Sequence, residues 1–226
     1  MDGLLLVDKP AGWTSHDVVA RIRSNIRAQN GQKTKVGHTG TLDPFATGLL
    51  VLVIGGYTKK AAEFSKMDKT YEAEITLGAI STTGDIEGEI TPKSGQKPSK
   101  MALQAILSRF EGEISQTPHK YSAVKVGGQR AYKLARQGKD VKLEPREVTI
   151  YQLQITNYLY PKLFINARVS SGTYIRSLAE DIGEALGTGA YLSALRRTAV
   201  GKFKVASSLQ IDDIQLDKIK SAIKTG

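Results

Sequence analysis

Residues 37–54 read Gly37-His38-Thr39-Gly40-Thr41-Leu42-Asp43-Pro44-Phe45-Ala46-Thr47-Gly48-Leu49-Leu50-Val51-Leu52-Val53-Ile54, and Gly55-Gly56 closes them. The apolar run from Leu49 has the length and bounding glycines of a fully buried strand. The twelve residues before it are a loop. Glycines at 37, 40 and 48 permit tight or positive-φ backbone, and Pro44 pushes Asp43 away from helix toward an extended conformation. One carboxylate is therefore held on a constrained loop at the mouth of the core. Asp-Pro pairs also serve ordinary turns, so the loop alone leaves a structural role open, and the rest of the chain must decide.

Outward from this strand, Gly3–Val7 reads as a second strand, halted by Lys9-Pro10-Ala11-Gly12. A helix follows, with Thr14 or Ser15 as N-cap and Val18, Val19, Ile22 and Ile26 on its buried stripe. Tyr71–Leu77 alternates at period two, as a half-buried strand does, and stops at Gly78. Glycines and prolines across 81–98 mark loops or short hairpins. Ser99 caps a helix carrying Leu103, Ile106, Leu107 and Phe110. Strands are expected around Val148–Ile155 and Leu163–Val169. A helix opening after Gly172-Thr173-Tyr174 should place Ile175, Leu178, Ile182 and Leu186 on one face, with Gly187 ending it. A last amphipathic helix is expected over Ile211–Ile223. Strands scattered among helices without βαβ alternation indicate an α+β fold with a mixed, mostly antiparallel sheet flanked by helices. No break in composition forces a second domain, so residues 1–226 read as one domain with an insertion.

The chain has 226 residues, no cysteine and a net charge of +10. Disulfides and thiolate zinc sites are thereby excluded. The start lacks a signal peptide and no stretch is long enough to span a membrane, so the reading is a cytoplasmic protein. Residues 117–146 hold eight basic residues (Lys120, Lys125, Arg130, Lys133, Arg136, Lys139, Lys142, Arg146) against Asp140 and Glu144, with Tyr121 and Tyr132 among them. Cations neutralise phosphates and aromatic rings stack on bases, so this is the footprint of a nucleic-acid surface. Within it, Gln129–Gln137 could form a short helix ended by Gly138. There is no phosphate-binding Walker loop, no dinucleotide fingerprint and no nucleophile elbow. His16, His38 and His119 each stand alone, which argues against a metal cluster. Any chemistry falls to Asp43 and polar neighbours, with no cofactor and no metal.

Five blocks, in order, resemble the bacterial tRNA pseudouridine-55 synthase (TruB) family of pseudouridine synthases. They are Asp8-Lys9-Pro10-Ala11-Gly12-Trp13-Thr14-Ser15; Gly37–Pro44; Lys69-Thr70-Tyr71-Glu72-Ala73; Tyr121–Lys125 with Arg130-Ala131-Tyr132; and Gly172–Gly183 with Leu195-Arg196-Arg197. The resemblance implies the pseudouridine synthase fold, with 117–146 as an RNA-gripping thumb. It implies that Asp43 is the catalytic aspartate, that Tyr71 packs on the target base, and that Arg176 ion-pairs with Asp43. Tyr174 and Leu195 would line the uracil pocket, and His38 would help displace the target from its stack. Lys125, Arg130 and Lys133 would hold RNA, while Lys9 and Pro10 buttress the floor. The implied reaction is isomerisation of uridine 55 in the T loop of tRNA, with no protein partner required and a monomer as the default. Whether Asp43 forms a ribosyl adduct or acts through a glycal stays open.

Some positions depart from the family pattern. His119 follows Pro118 where two prolines are usual, Thr82 replaces a common acid, and Ser170-Ser171 stand where a basic residue is frequent. The chain also leaves no room after Phe203 for the family's C-terminal RNA-binding (PUA) domain. Two alternatives remain: a pseudouridine synthase acting on another stem-loop RNA, or an RNA binder that opens the T arm without chemistry. The second gives no reason to bury an acid facing phosphates.

Overall fold

The Leu49–Ile54 run is a strand covered on both faces, as an unbroken apolar sequence requires. A computed structural model describes residues 1–31, 33–122, 124–139 and 141–224, with the backbone alone described at 29, 30, 125, 132, 136 and 216. In chain order the first elements are β1 (Gly3–Lys9), α1 (Ser15–Asn30), β2 (Val36–His38), β3 (Thr47–Ile54), α2 (Ala61–Ser65) and β4 (Lys69–Leu77). Then come β5 (Ala79–Ser81), β6 (Ile90–Pro92), α3 (Lys100–Ser108), β7 (Gly112–Gln116), β8 (Lys125–Val126), β9 (Gln129–Arg130) and α4 (Ala131–Arg136). The remainder is β10 (Arg146–Leu159), β11 (Lys162–Val169), α5 (Ile175–Ala185), β12 (Ala190–Val200), β13 (Phe203–Lys204), β14 (Leu209–Gln210) and α6 (Leu216–Ala222).

The chain divides into two compact units, Met1–Tyr71 with Arg196–Gly226, and Glu72–Leu195. In the first, β1 and β3 pair antiparallel from Gly3–Ile54 to Lys9–Gly48. Their period of two sends Leu5, Val7, Leu50, Leu52 and Ile54 to one face, against Val18, Val19, Ile22 and Ile26 of α1 and Ile211, Ile214 and Ile219. Leu4, Leu6, Leu49, Val51 and Val53 go to the other, against Val200 and Phe203. Helix α1 starts on a capping box: the Thr14 hydroxyl accepts from the Asp17 amide, and the Asp17 carboxylate accepts from the Thr14 amide at 2.9 Å. Along its second edge β3 changes neighbour. Its end pairs antiparallel with β2 (Val36–Ile54 to His38–Leu52), and its start pairs parallel with β12 (Arg196–Thr47, Arg197–Gly48). The Asp43 loop leaves the sheet at the end of β2 and re-enters at β3, so it hangs at this switch of partners.

In the second unit β10 and β11 form a long antiparallel hairpin, with β7 on the β10 edge and β4 on the β11 edge. Leu163, Ile165, Ala167 and Val169 are buried at period two. Ile175, Leu178 and Ile182 give α5 its apolar stripe. The Ser99 hydroxyl accepts from Ala102 N and caps α3, which buries Leu103 and Leu107. Within 117–146, β8 and β9 form a hairpin turning at Gly127-Gly128, where φ is +55° and +82°, and α4 follows directly.

Parallel pairings (β1 with β14, β3 with β12) among antiparallel ones make the sheet mixed, in keeping with the expected α+β class. One expectation needed correction, and one strand had not been read at all. The tail is not one helix: a 3-10 turn at Ile211–Asp213 and an extended Ile214 precede α6. Asn25 Nδ2 donates to Ile214 O at 2.8 Å and holds that residue out of helical geometry. The eleven-residue β12 was also not foreseen, because Arg196-Arg197 interrupts its apolar pattern and its reason is tertiary.

Candidate active site

Buried cations close the Asp43 loop from below, all within the first unit. Arg197, only 2 % exposed, donates Nε to Leu49 O at 2.8 Å, Nη2 to Gly40 O at 3.1 Å and Nη1 to Thr41 O at 3.4 Å. Its planar fork therefore ties the start of β3 to the loop that leads to Asp43. Gly48 makes this approach possible: at φ +103° a Cβ there would collide with the Arg197 backbone. Lys9, at the end of β1 and fully buried, donates Nζ to Trp13 O at 2.6 Å, Pro10 O at 2.9 Å and Pro44 O at 3.1 Å. Ser15 Oγ accepts from Leu42 N at 2.8 Å and reaches Leu42 O at 3.2 Å. The residues on both sides of Asp43 are thus pinned, and the half-buried Asp43 lies between contacts from three elements, β1, α1 and β12. Arg196, next to Arg197, forks onto Asp8 at 3.1 and 2.7 Å and ties β12 toward β1.

His38, half-buried at the end of β2, enters this loop, and Tyr71 lies buried at the boundary residue of the same unit. Two residues before Tyr71, Lys69 is buried and donates to Ser65 O at 2.6 Å. Burial first, and the Arg197 charge second, push its ammonium down to about 8.

Tyr174, Arg176 and Leu195 belong to the second unit. Arg176, 6 % exposed on the first turn of α5, ion-pairs with Asp85 Oδ2 at 3.1 Å; Asp85 is itself 2 % exposed. The same guanidinium donates to Thr83 O at 3.2 Å and Tyr121 O at 3.3 Å. Asp85 in turn accepts from Thr83 Oγ1 at 2.6 Å and Glu87 N at 3.0 Å. Asp85 is a partner of Arg176 that reading the sequence did not assign, although it lies in the 81–98 turn region with Gly84 before it and Gly88 after. The role of Arg197 was missed for the same reason: neither partner is near in sequence. Tyr174 caps α5, its amide donating to Gln116 Oε1 at 2.8 Å while Gln116 Nε2 returns to Tyr174 O at 3.1 Å. Leu195 is buried on β12.

The base of the 117–146 segment is fastened to α5. Ser177 Oγ donates to Thr117 O at 3.0 Å, and His119 stacks on Tyr121 with ring centroids 5.7 Å apart. Burial, then the charges of Arg176 and Lys120, push His119 down to about 4, so it is neutral at pH 7. Its 3.8 Å approach to Glu180 is therefore not an ion pair at that pH. Burial and the neighbouring Asp181 push Glu180 up to about 7. Arg130 and Lys133 are exposed further along the segment, while the Lys125 side chain lies outside the described residues, as does Ala123. Among the described residues no group of acids and histidines is placed to hold a metal ion, and no helix is long and apolar enough to cross a membrane.

Comparison with known proteins agrees across the chain. The model of the TruB family pseudouridylate synthase N-terminal domain matches residues 27–175, and that of the tRNA pseudouridylate synthase B C-terminal domain matches 176–223. A tRNA pseudouridine synthase B from Opitutus terrae is 43% identical over 216 residues, which are 95% of this chain and 88% of that protein. Its counterpart in Cupriavidus metallidurans is 47% identical over 94% of this chain and 67% of its own length. Among solved structures, a chain of a Cbf5-Nop10-Gar1 complex superposes with TM-score 0.72 and 31% identity, over 93% of this chain and 53% of that one. An H/ACA RNP bound to a substrate RNA containing 2′-deoxyuridine gives 0.69 and 28%, over 93% and 51%. This chain spans about half the length of those structural relatives.

Proposed function

The chain belongs to the TruB family of pseudouridylate synthases, and from that premise we propose that it converts uridine 55 in the T loop of tRNA to pseudouridine. Residues 1–226 act in this reading as one catalytic domain, with 117–146 as the thumb. The reaction breaks the N1–C1′ bond, turns the uracil, joins C5 to C1′, and releases the C5 proton while N1 gains one. Nothing is oxidised, so side chains suffice. In this reading Asp43 is the catalytic carboxylate, and Arg176 ion-pairs with it. Tyr71, Tyr174 and Leu195 hold the extruded base, His38 helps displace it, and Lys125, Arg130 and Lys133 hold the RNA. Extruding the nucleotide costs a few kcal/mol, and stacking on an aromatic face returns about 1–3 kcal/mol per base.

The observation that carries this reading is the pinned loop. Lys9, Ser15 and Arg197 fix the backbone on both sides of Asp43 at the mouth of the core. Such fixation is what a reacting carboxylate needs, because it removes the cost of ordering the group during reaction. The test is tritium release from an unmodified tRNA transcript labelled at uracil C5, with the modified site mapped by carbodiimide-primed reverse transcription. Release with a stop at position 55 is expected. Asp43→Asn should abolish release and leave tRNA affinity within about a few-fold. Release mapping elsewhere would reassign the substrate, and tight binding without release would make the protein a binder.

A further inference from the structure

Between Asp17 and Asp43 the chain carries Arg21, Arg23, Arg27, Lys33 and Lys35, and no acidic residue. All five are exposed, and among the described residues none forms a salt bridge. Other cations of the protein do find carboxylates: Lys162 with Glu74, Arg196 with Asp8, Lys218 with Asp213. The unpaired set belongs to α1 and to the segment that leads into β2. Arg23 Nη2 donates to Val36 O at 3.2 Å, which fixes the guanidinium against the strand. Beside it is a cavity of about 340 Å³ lined by Arg23, Lys33, Thr34, Lys35 and Val36. From Val36 the same strand runs to His38, two residues or about 7 Å further on, where the Asp43 loop begins.

We propose that this cavity binds a backbone phosphate of the RNA substrate, forming a second RNA contact besides the thumb. The proposal rests on the reading that the protein acts on tRNA. Three cations line one open depression, and Thr34 adds a hydroxyl. The guanidinium uses one of its five donors on Val36 O and keeps others to offer an anion. Among its described lining residues there is no carboxylate to select for a cation and no aromatic face to stack a base, so the ligand is phosphate rather than nucleobase. Arg27, one turn from Arg23 on the same flank of α1, extends the charge beyond the cavity, which suits a polymer of phosphates better than one free anion.

The experiment measures Kd for an unmodified tRNA transcript as a function of salt, using Arg23→Gln/Lys33→Gln/Lys35→Gln and, in parallel, Lys33→Gln/Lys35→Gln, which leaves the Arg23–Val36 bond intact. The expected result is weaker binding at 0.1 M salt and a log–log slope smaller by about 0.7–0.9 for each phosphate no longer neutralised. The apparent KM for tritium release should rise while kcat at saturating tRNA stays at the wild-type value. An unchanged slope and Kd in both variants would overturn the proposal, provided Arg130→Gln/Lys133→Gln shows a change in the same assay. Inorganic phosphate at constant ionic strength is the second arm: saturable binding that the variants abolish, with tRNA affinity unaffected, would assign the cavity to a free anion and overturn the RNA contact. A wild-type protein that binds tRNA without releasing tritium would defeat the proposed function and leave the slope comparison valid.

Discussion

Replacing Arg197 by lysine keeps the positive charge and removes the planar fork. The fork spans three carbonyls, at 2.8 Å to Leu49, 3.1 Å to Gly40 and 3.4 Å to Thr41. A lysine ammonium lacks the fixed spacing of Nε, Nη1 and Nη2 across those carbonyls. A hydrogen bond from a charged donor contributes about 1.5–3 kcal/mol. The bond to fully buried Leu49 counts in full, the one to half-buried Gly40 counts for less, and the long one to exposed Thr41 counts for little. Lysine recovers one of them, which leaves a net loss of about 2 kcal/mol. At about 2–4 °C per kcal/mol for a chain of this size, Tm should fall by about 4–8 °C. The kinetic effect should be larger in kind. Gly40 and Thr41 lead directly to Asp43, and a displacement of about 1 Å in a reacting group costs roughly 10²-fold. Single-turnover tritium release should slow by about that factor, with tRNA Kd within about a few-fold of wild type. A lowered Tm with an unchanged single-turnover rate would show that Arg197 only stabilises the fold. Unchanged Tm and rate together would refute the clamp itself.

Three further outcomes are expected. Asp85→Ala removes the buried carboxylate 3.1 Å from the Arg176 guanidinium and should cost about 3–5 kcal/mol in urea unfolding; Asp85→Ala/Arg176→Met should recover much of that, and equal costs for both would contradict the ion pair's role. His119 resists protonation to about 4 in the fold, whereas an unfolded histidine takes up a proton near 6.5. Between those values the unfolded state binds more protons, so stability falls as pH drops; wild type should lose up to about 3 kcal/mol relative to His119→Gln between pH 6.5 and 4. Parallel curves for the two proteins would mean that His119 is solvated. Removing the charges of Arg130 and Lys133 should flatten the salt dependence of tRNA binding by about 0.7–0.9 for every phosphate that these side chains neutralise, and an unaltered slope would detach the thumb from RNA.

Local chemistry is what the sequence by itself determined. An unbroken apolar run bounded by glycines is buried on both faces wherever it folds, so β3 was legible without its neighbours. The same holds for the period of two in β11, the stripe on α5, and the caps at Thr14 and Ser99, whose hydrogen bonds close within three residues. Asp43 stood out for a related reason, being one acid among glycines and a proline with recognisable blocks on either side. Tertiary structure alone decided who holds these residues in place. Arg197 meets Gly40 across 157 positions and Arg176 meets Asp85 across 91, and contacts at such separation leave no periodicity to read. The strand β12 was hidden because two arginines break its apolar pattern; the burial of Arg197 is offset by carbonyls, and the partly exposed Arg196 meets a carboxylate, all from other strands and loops. The break in the tail has the same origin, since Asn25 on α1 reaches across 189 positions to hold Ile214 extended. Propensity and period act through neighbours in the chain, whereas a buried polar group is satisfied by whatever the fold brings within about 3 Å.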